Sequence, residues 1–151
     1  MTSNTAPPTA SNPTESPALN LSEEQIIGFA TQFDPQPYHL DRAAGDASIF
    51  GGLCASGWQV AALGTRLIGD ALAQQDMNFV SLISVDSLRW RQPTFVDEEL
   101  RAVTRVEGVE PTCSVPGCQT AVISAEIINQ AGDVVAVLSG RAAIDAGGQL
   151  P

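Results

Sequence analysis

The chain has a single histidine, His39, and it follows Asp34 in the segment Phe33-Asp34-Pro35-Gln36-Pro37-Tyr38-His39-Leu40-Asp41. An imidazole and a carboxylate brought to one small site can hold a water molecule between them and move its protons. The two prolines fix φ at their own positions and turn the residue before each away from helix, so the spacing predicts a stiff, extended loop carrying both side chains. The plain alternative is a structural histidine beside an Asp-Pro helix stop. A second feature lies downstream, in Phe50-Gly51-Gly52-Leu53-Cys54-Ala55-Ser56-Gly57-Trp58, after which the pattern turns helical. With Ser56 as N-cap, the amides of Gly57 and Trp58 fall in the first turn, where backbone N–H groups lack intrahelical partners and the helix dipole is positive. A glycine there lets a ligand oxygen approach the backbone, and such a terminus stabilises a developing oxyanion. As turn glycines alone, Gly51, Gly52 and Gly57 carry no such meaning. Beside Asp34 and His39 they complete a set of base, acid and enolate-stabilising donor.

These residues need elements to position them. In Leu21-Ser22-Glu23-Glu24-Gln25, Ser22 can cap a helix, Gln25 can close a capping box, and Leu21 and Ile26 can staple its start. Apolar residues recur at Ile26, Phe29, Ala30 and Phe33, and the stripe stops at Asp34-Pro35, which puts Asp34 at a helix exit. A polar connection from Asp41 to Ser48 leads to the glycine-rich run. Val60, Leu63, Gly64, Leu67, Ile68, Ala71 and Leu72 then mark a long, deeply packed helix in which Gly64 predicts close approach to a sheet. From Phe79 the period shortens towards two. The expected strands are Val80 to Trp90, Leu100 to Val109, Gln119 to Ile128 and Asp133 to Ile144, the last two joined by a hairpin at Asn129-Gln130-Ala131-Gly132. This order predicts an α+β layer in which an antiparallel meander wraps the long helix. There is no internal repeat.

Composition narrows the partners. The chain has 151 residues with 7 basic against 17 acidic side chains and a net charge of −10, and every basic residue is arginine. That balance argues against nucleic acid and against an anionic membrane surface, and the lack of lysine excludes Schiff-base and P-loop chemistry. The opening has neither a basic cluster nor an apolar run, and no stretch reaches the length of a membrane span, so a soluble, cytoplasmic protein is expected. Cys54, Cys113 and Cys118 with His39 make no zinc set, and no metal is expected. They read as free thiols, with a local Cys113–Cys118 disulfide as the alternative. Residues 1–18, rich in Pro, Ser and Thr, read as a disordered tail, and 19–151 as one domain.

The run from Phe29 to Asp41, followed by Phe50 to Trp58, resembles the MaoC-like dehydratase family, also called hydratase 2 or (R)-specific enoyl-CoA hydratases. Ser87-Leu88-Arg89-Trp90-Arg91-Gln92-Pro93 looks like that family's first long strand, and the resemblance runs from about Leu21 to Ile144 by order of elements. It implies a hot-dog fold, a long helix wrapped by a curved antiparallel sheet, with the site near the interface of a homodimer or higher homo-oligomer. It also implies roles. Asp34 and His39 grip the catalytic water, the Gly57 amide binds the thioester carbonyl, and Ser56 and Trp58 lie against substrate. The implied substrate is an acyl-CoA or acyl-carrier-protein thioester, with coenzyme A present only as part of the substrate and no separate cofactor. Arg89 and Arg91, two apart on a strand, can share a face and meet the carrier's phosphates, or form a solvated face. Arg66 can pair with Asp70 one turn on.

Hydration of a 2-enoyl thioester needs a nucleophilic water, a proton for the alpha carbon and a donor for the enolate oxygen, and this residue set matches those needs. Either Asp34 or His39 can take the base role. The chain departs from the family in the stretch Glu110 to Cys118 between the second and third strands and in three further places. The Pro/Thr-rich tail stands where an N-terminal strand is usual, Ser56 stands where histidine is frequent, and Ala62 stands where some members have serine. Two rivals remain: a hot-dog thioesterase, which commonly carries its acid on the long helix, and a non-catalytic hot-dog subunit.

Overall fold

A computed structural model describes residues 12–145 of the chain. Two short strands come first, β1 (Thr14–Glu15) and β2 (Leu19–Asn20). Helix α1 (Glu23–Phe33) begins with the expected capping box, Ser22 accepting from the Gln25 amide while the Gln25 side chain accepts from the Ser22 amide. Leu21 and Ile26 are buried beside it. Then follow α2 (Pro37–Leu40), α3 (Arg42–Ala47), α4 (Gly57–Ala73), β3 (Asn78–Trp90), β4 (Glu99–Glu110), β5 (Gln119–Ile128) and β6 (Val134–Asp145).

The four long strands and α4 match their sequence signals closely. Helix α4 buries Val60, Gly64, Leu67, Ile68, Ala71 and Leu72, each large side chain contributing roughly 1.5–3 kcal/mol of transfer free energy. Facing them are Ala102, Val106, Ile123, Ile127, Leu138 and Ile144 from the sheet. Close approach does explain Gly64, because a Cβ there would stand 3.1 Å from Ile127 Cδ1. The β5–β6 hairpin turns at Asn129, whose side chain accepts from the amides of Ala131 and Asp133, and Gly132 supplies the positive φ of 83°.

The strand order is β1-β4-β5-β6-β3, with β2 also paired to β4. Helix α4 packs against both β4 and β3. Since these lie towards opposite sides of the sheet, the sheet must curve around the helix, which is the α+β hot-dog architecture. It is not a simple meander, however. Strand β3 pairs with β6 rather than with its sequence neighbour β4. The connection from Arg91 to Glu98 therefore crosses the fold, and the crossing brings Trp90 to Thr94 beside the start of α4.

Three further expectations are corrected. Within the stretch 1–18 expected as a disordered tail, Thr14 and Glu15 pair with Thr104 and Val103, and the Ala102 amide donates to the Ser16 hydroxyl. The tail's side-chain oxygens find backbone partners, so low hydrophobicity did not prevent order there; residues 1–11 lie outside the described part. The loop after Asp34 is extended only at its start. Gln36, with ψ 141°, is extended as a residue before proline should be, but Pro37 then opens the helical turn α2, its fixed φ being suited to the first helical position. The polar connection from Asp41 to Ser48 is likewise helical, as α3, because Asp41 caps it by accepting from the Ala44 amide. No described helix is long and apolar enough to cross a membrane.

Candidate active site

Asp34 is the C-cap of α1, its amide donating to the Ala30 carbonyl at 2.9 Å. His39 sits on α2 with 7 % of its surface exposed, and its ring stands edge-on to Tyr38 with centroids 4.5 Å apart. The two side chains come together, His39 Nε2 lying 3.5 Å from Asp34 Oδ2. His39 Nδ1 lies 2.6 Å from the Cys54 carbonyl oxygen. A carbonyl only accepts, so Nδ1 carries a proton and Nε2 is the nitrogen turned towards the carboxylate. The two facing atoms are satisfied by one shared donor, either the two O–H groups of a water molecule or a proton on Nε2.

The segment before α4 holds this arrangement in place. The Cys54 amide donates to the Tyr38 carbonyl at 3.2 Å, and the Ala55 amide to the Thr94 carbonyl at 2.8 Å. Gln59 Nε2 donates to the Gln25 carbonyl at 2.9 Å, tying the first turn of α4 to the helix that ends at Asp34. The Cys54 sulfur lies 3.8 Å from His39 Nδ1. Burial pushes that thiol up from its ordinary value, so it adds no charge beside the imidazole at neutral pH.

A pocket of about 240 Å³ opens here, lined in part by His39, Ala55, Gly57, Trp90 and Arg91. Asp34 does not line it directly. Its side chain is 26 % exposed and meets the pocket's residues at His39 Nε2. Gly57 is the first residue of α4, so its amide has no intrahelical acceptor and faces the positive end of the dipole. Packing also requires a glycine at this position, because a Cβ there would stand 2.8 Å from Trp90 Cε2. Trp90 also donates from Nε1 to the Gly57 carbonyl at 2.7 Å.

The remaining expected site residues divide. Arg91 lines the pocket, whereas Arg89 lies opposite Val137, on the face of the sheet turned away from α4. The amides of Arg91 and Gln92 both donate to the Val135 carbonyl, an irregularity that breaks the alternation and separates the two arginines. Trp58 is 62 % exposed and packs edge-on against Trp90, with ring centroids 5.1 Å apart. Ser56 is fully buried, and its hydroxyl donates to Asp34 Oδ2 at 2.7 Å. It does not line the pocket and stands behind the carboxylate. Arg66 pairs with Asp70 as foreseen, at 3.3 Å.

Sequence reasoning missed Tyr38, Phe50, Cys54, Val60, Trp90, Pro93 and Thr94 as pocket walls. For Trp90 and Thr94 no local signal exists, since the crossing after β3 brings them in. Tyr38 and Cys54 adjoin the motifs and were within reach of it. Cys54, Cys113 and Cys118 are unpaired, and among the described residues no three His, Cys, Asp or Glu side chains gather where a metal ion could sit.

Comparison with known proteins places the fold. A family model described as a MaoC like domain matches residues 4–128. A MaoC-like dehydratase from Rhodospirillum rubrum has a similar structure, with a TM-score of 0.72, 33% sequence identity, and coverage of 88% of this chain and 90% of that one. An (R)-hydratase from A. caviae, involved in PHA biosynthesis, shares the fold with a TM-score of 0.61 at 22% identity, over 94% of this chain and 97% of its own. The uncharacterised protein YdeM of Bacillus subtilis (strain 168) is 29% identical over 114 residues, which is 71% of this chain and 75% of YdeM.

Proposed function

Because the chain belongs to the MaoC-like dehydratase family, we propose that it adds water to a 2-enoyl thioester, or removes it from an (R)-3-hydroxyacyl thioester, using Asp34 and His39 on one water. The observation that carries this reading is the single line of polar atoms from the Cys54 carbonyl through His39 to Asp34, with distances of 2.6 Å and 3.5 Å, beside a pocket that Gly57 also lines. In the hydration direction the water oxygen attacks the beta carbon while one of its protons passes to the Asp34–His39 pair. The electrons of the double bond move to the thioester oxygen, where the Gly57 amide receives the developing charge. A proton returned from the pair to the alpha carbon completes the addition.

The carrier is coenzyme A or an acyl carrier protein, and Arg91, at the pocket, is the candidate for its phosphates; Arg89 is not. Thioester hydrolysis fits less well. Gln59 at the start of α4 is buried, and Asp70 lies far along the helix in its pair with Arg66.

The working unit in this reading is a homodimer. Strand β3 lies at the edge of the sheet and exposes Val80, Ile83 and Val85. A long edge strand with exposed apolar side chains is a ready template for pairing with a second copy. The expected sedimentation behaviour is that of twice the chain mass, and a monomer at micromolar concentration would overturn the dimer.

Incubation with crotonyl-CoA tests the activity when the conjugated enoyl absorbance and free thiol are followed together. The expected result is loss of absorbance without thiol release. Thiol release would mean hydrolysis, and absence of both changes would remove the hydratase reading for this thioester.

A further inference from the structure

A serine that opens a helix ordinarily turns its hydroxyl back to accept an amide proton from the first turn. Ser56 opens α4 and makes no such bond. Its hydroxyl donates instead to Asp34 Oδ2 at 2.7 Å, across 22 positions of sequence, from a side chain with no exposed surface. Oδ2 is also the oxygen nearest His39 Nε2. A hydroxyl has one proton to give, and the ionised carboxylate can only accept it, so the direction of this bond is fixed. It holds the carboxylate plane with Oδ2 turned to the imidazole and leaves Oδ1 free of Ser56.

The backbone around Ser56 makes that hold rigid. The Cys54 and Ala55 amides are tied to Tyr38 and Thr94 on either side. The same short run sets the imidazole through the Cys54 carbonyl. Residues Cys54 to Ser56 thus orient both members of the pair, the histidine by a backbone oxygen and the aspartate by a side-chain hydroxyl.

We propose that Ser56 is a positioning residue, which forgoes its helix cap in order to fix the Asp34 carboxylate against His39. The proposal rests on the reading of Asp34 as an acid–base group. In the reaction Ser56 touches neither substrate nor water. Its loss frees the carboxylate to rotate away from the imidazole, and displacement of a catalytic group by about an ångström lowers turnover roughly a hundredfold.

The test compares the full chain with Ser56→Ala by two readouts. In the first, NMR three-bond couplings to Asp34 Cγ report the side-chain rotamer without substrate. The couplings are expected to show one rotamer in the parent chain and averaging in Ser56→Ala. The second readout is kinetic, with crotonyl-CoA: kcat is expected to fall about 10- to 100-fold while KM changes less than about twofold. An Asp34 side chain that stays fixed in Ser56→Ala, or an unchanged kcat, overturns the proposal. A parent chain without turnover, whose Asp34 couplings nevertheless respond as expected, removes the hydratase reading and leaves the placement of Asp34 by Ser56 standing.

Discussion

Asp34→Asn is expected to lower the rate of the proposed hydration by about 10²- to 10⁴-fold, the range that a positioned acid–base group supplies. Asparagine keeps the shape of the side chain, and its amide oxygen can still accept the Ser56 hydroxyl, so the local geometry survives. It cannot take up the water's proton, and with its oxygen on Ser56 its NH2 group stands where Oδ1 was, so the pair loses its acceptor for that proton. The fold should tolerate the change. The C-cap of α1 is made by the Asp34 backbone amide donating to Ala30, not by its side chain. Initial rates of enoyl loss and a thermal melt on the same preparation check both points. A variant with near-parental kcat would remove Asp34 from the chemistry.

His39→Ala is expected to lower kcat over the same range, but with a structural cost that the aspartate change lacks. The imidazole is buried, packs edge-on against Tyr38 and donates to the Cys54 carbonyl. Truncation leaves that carbonyl without its donor, which costs about 1–3 kcal/mol, so a lower melting temperature should accompany the loss of activity. The double variant with Asp34→Asn separates the two effects. Groups that act as one unit on one water are not additive, so kcat of the double variant should stay close to that of the worse single variant. Multiplying losses would mean two independent roles.

The elements that position the site are local in origin, and the sequence displays them. The Ser22–Gln25 capping box, the stop at Asp34-Pro35, the apolar stripe of α4 and the alternation of the four long strands depend on neighbours a few residues away, and each is found in its expected place. The approach of Asp34 to His39 belongs to the same class, since a helix exit and one short helical turn are enough to bring them together.

What escaped the sequence is set at long range. Strand β3 pairs with β6 because the sheet has to close around α4, and no pattern within β3 encodes its neighbour. The face of Arg91 depends on a bulge against Val135, and period-two reasoning cannot place it. Thr14 and Ser16 are held by Ala71 and Ala102, partners far along the chain. Ser56 reads as a helix cap in any local analysis, and only the folded position of Asp34 shows where its hydroxyl goes.

A structure of the chain bound to (R)-3-hydroxybutyryl-CoA would decide whether Asp34 and His39 share one water, because the product hydroxyl marks where the water stood. The expected pose has this hydroxyl within hydrogen-bonding distance of both the Asp34 carboxylate and His39 Nε2, with the thioester oxygen on the Gly57 amide. A hydroxyl reaching only one of the pair, or a thioester seated away from the start of α4, would contradict it.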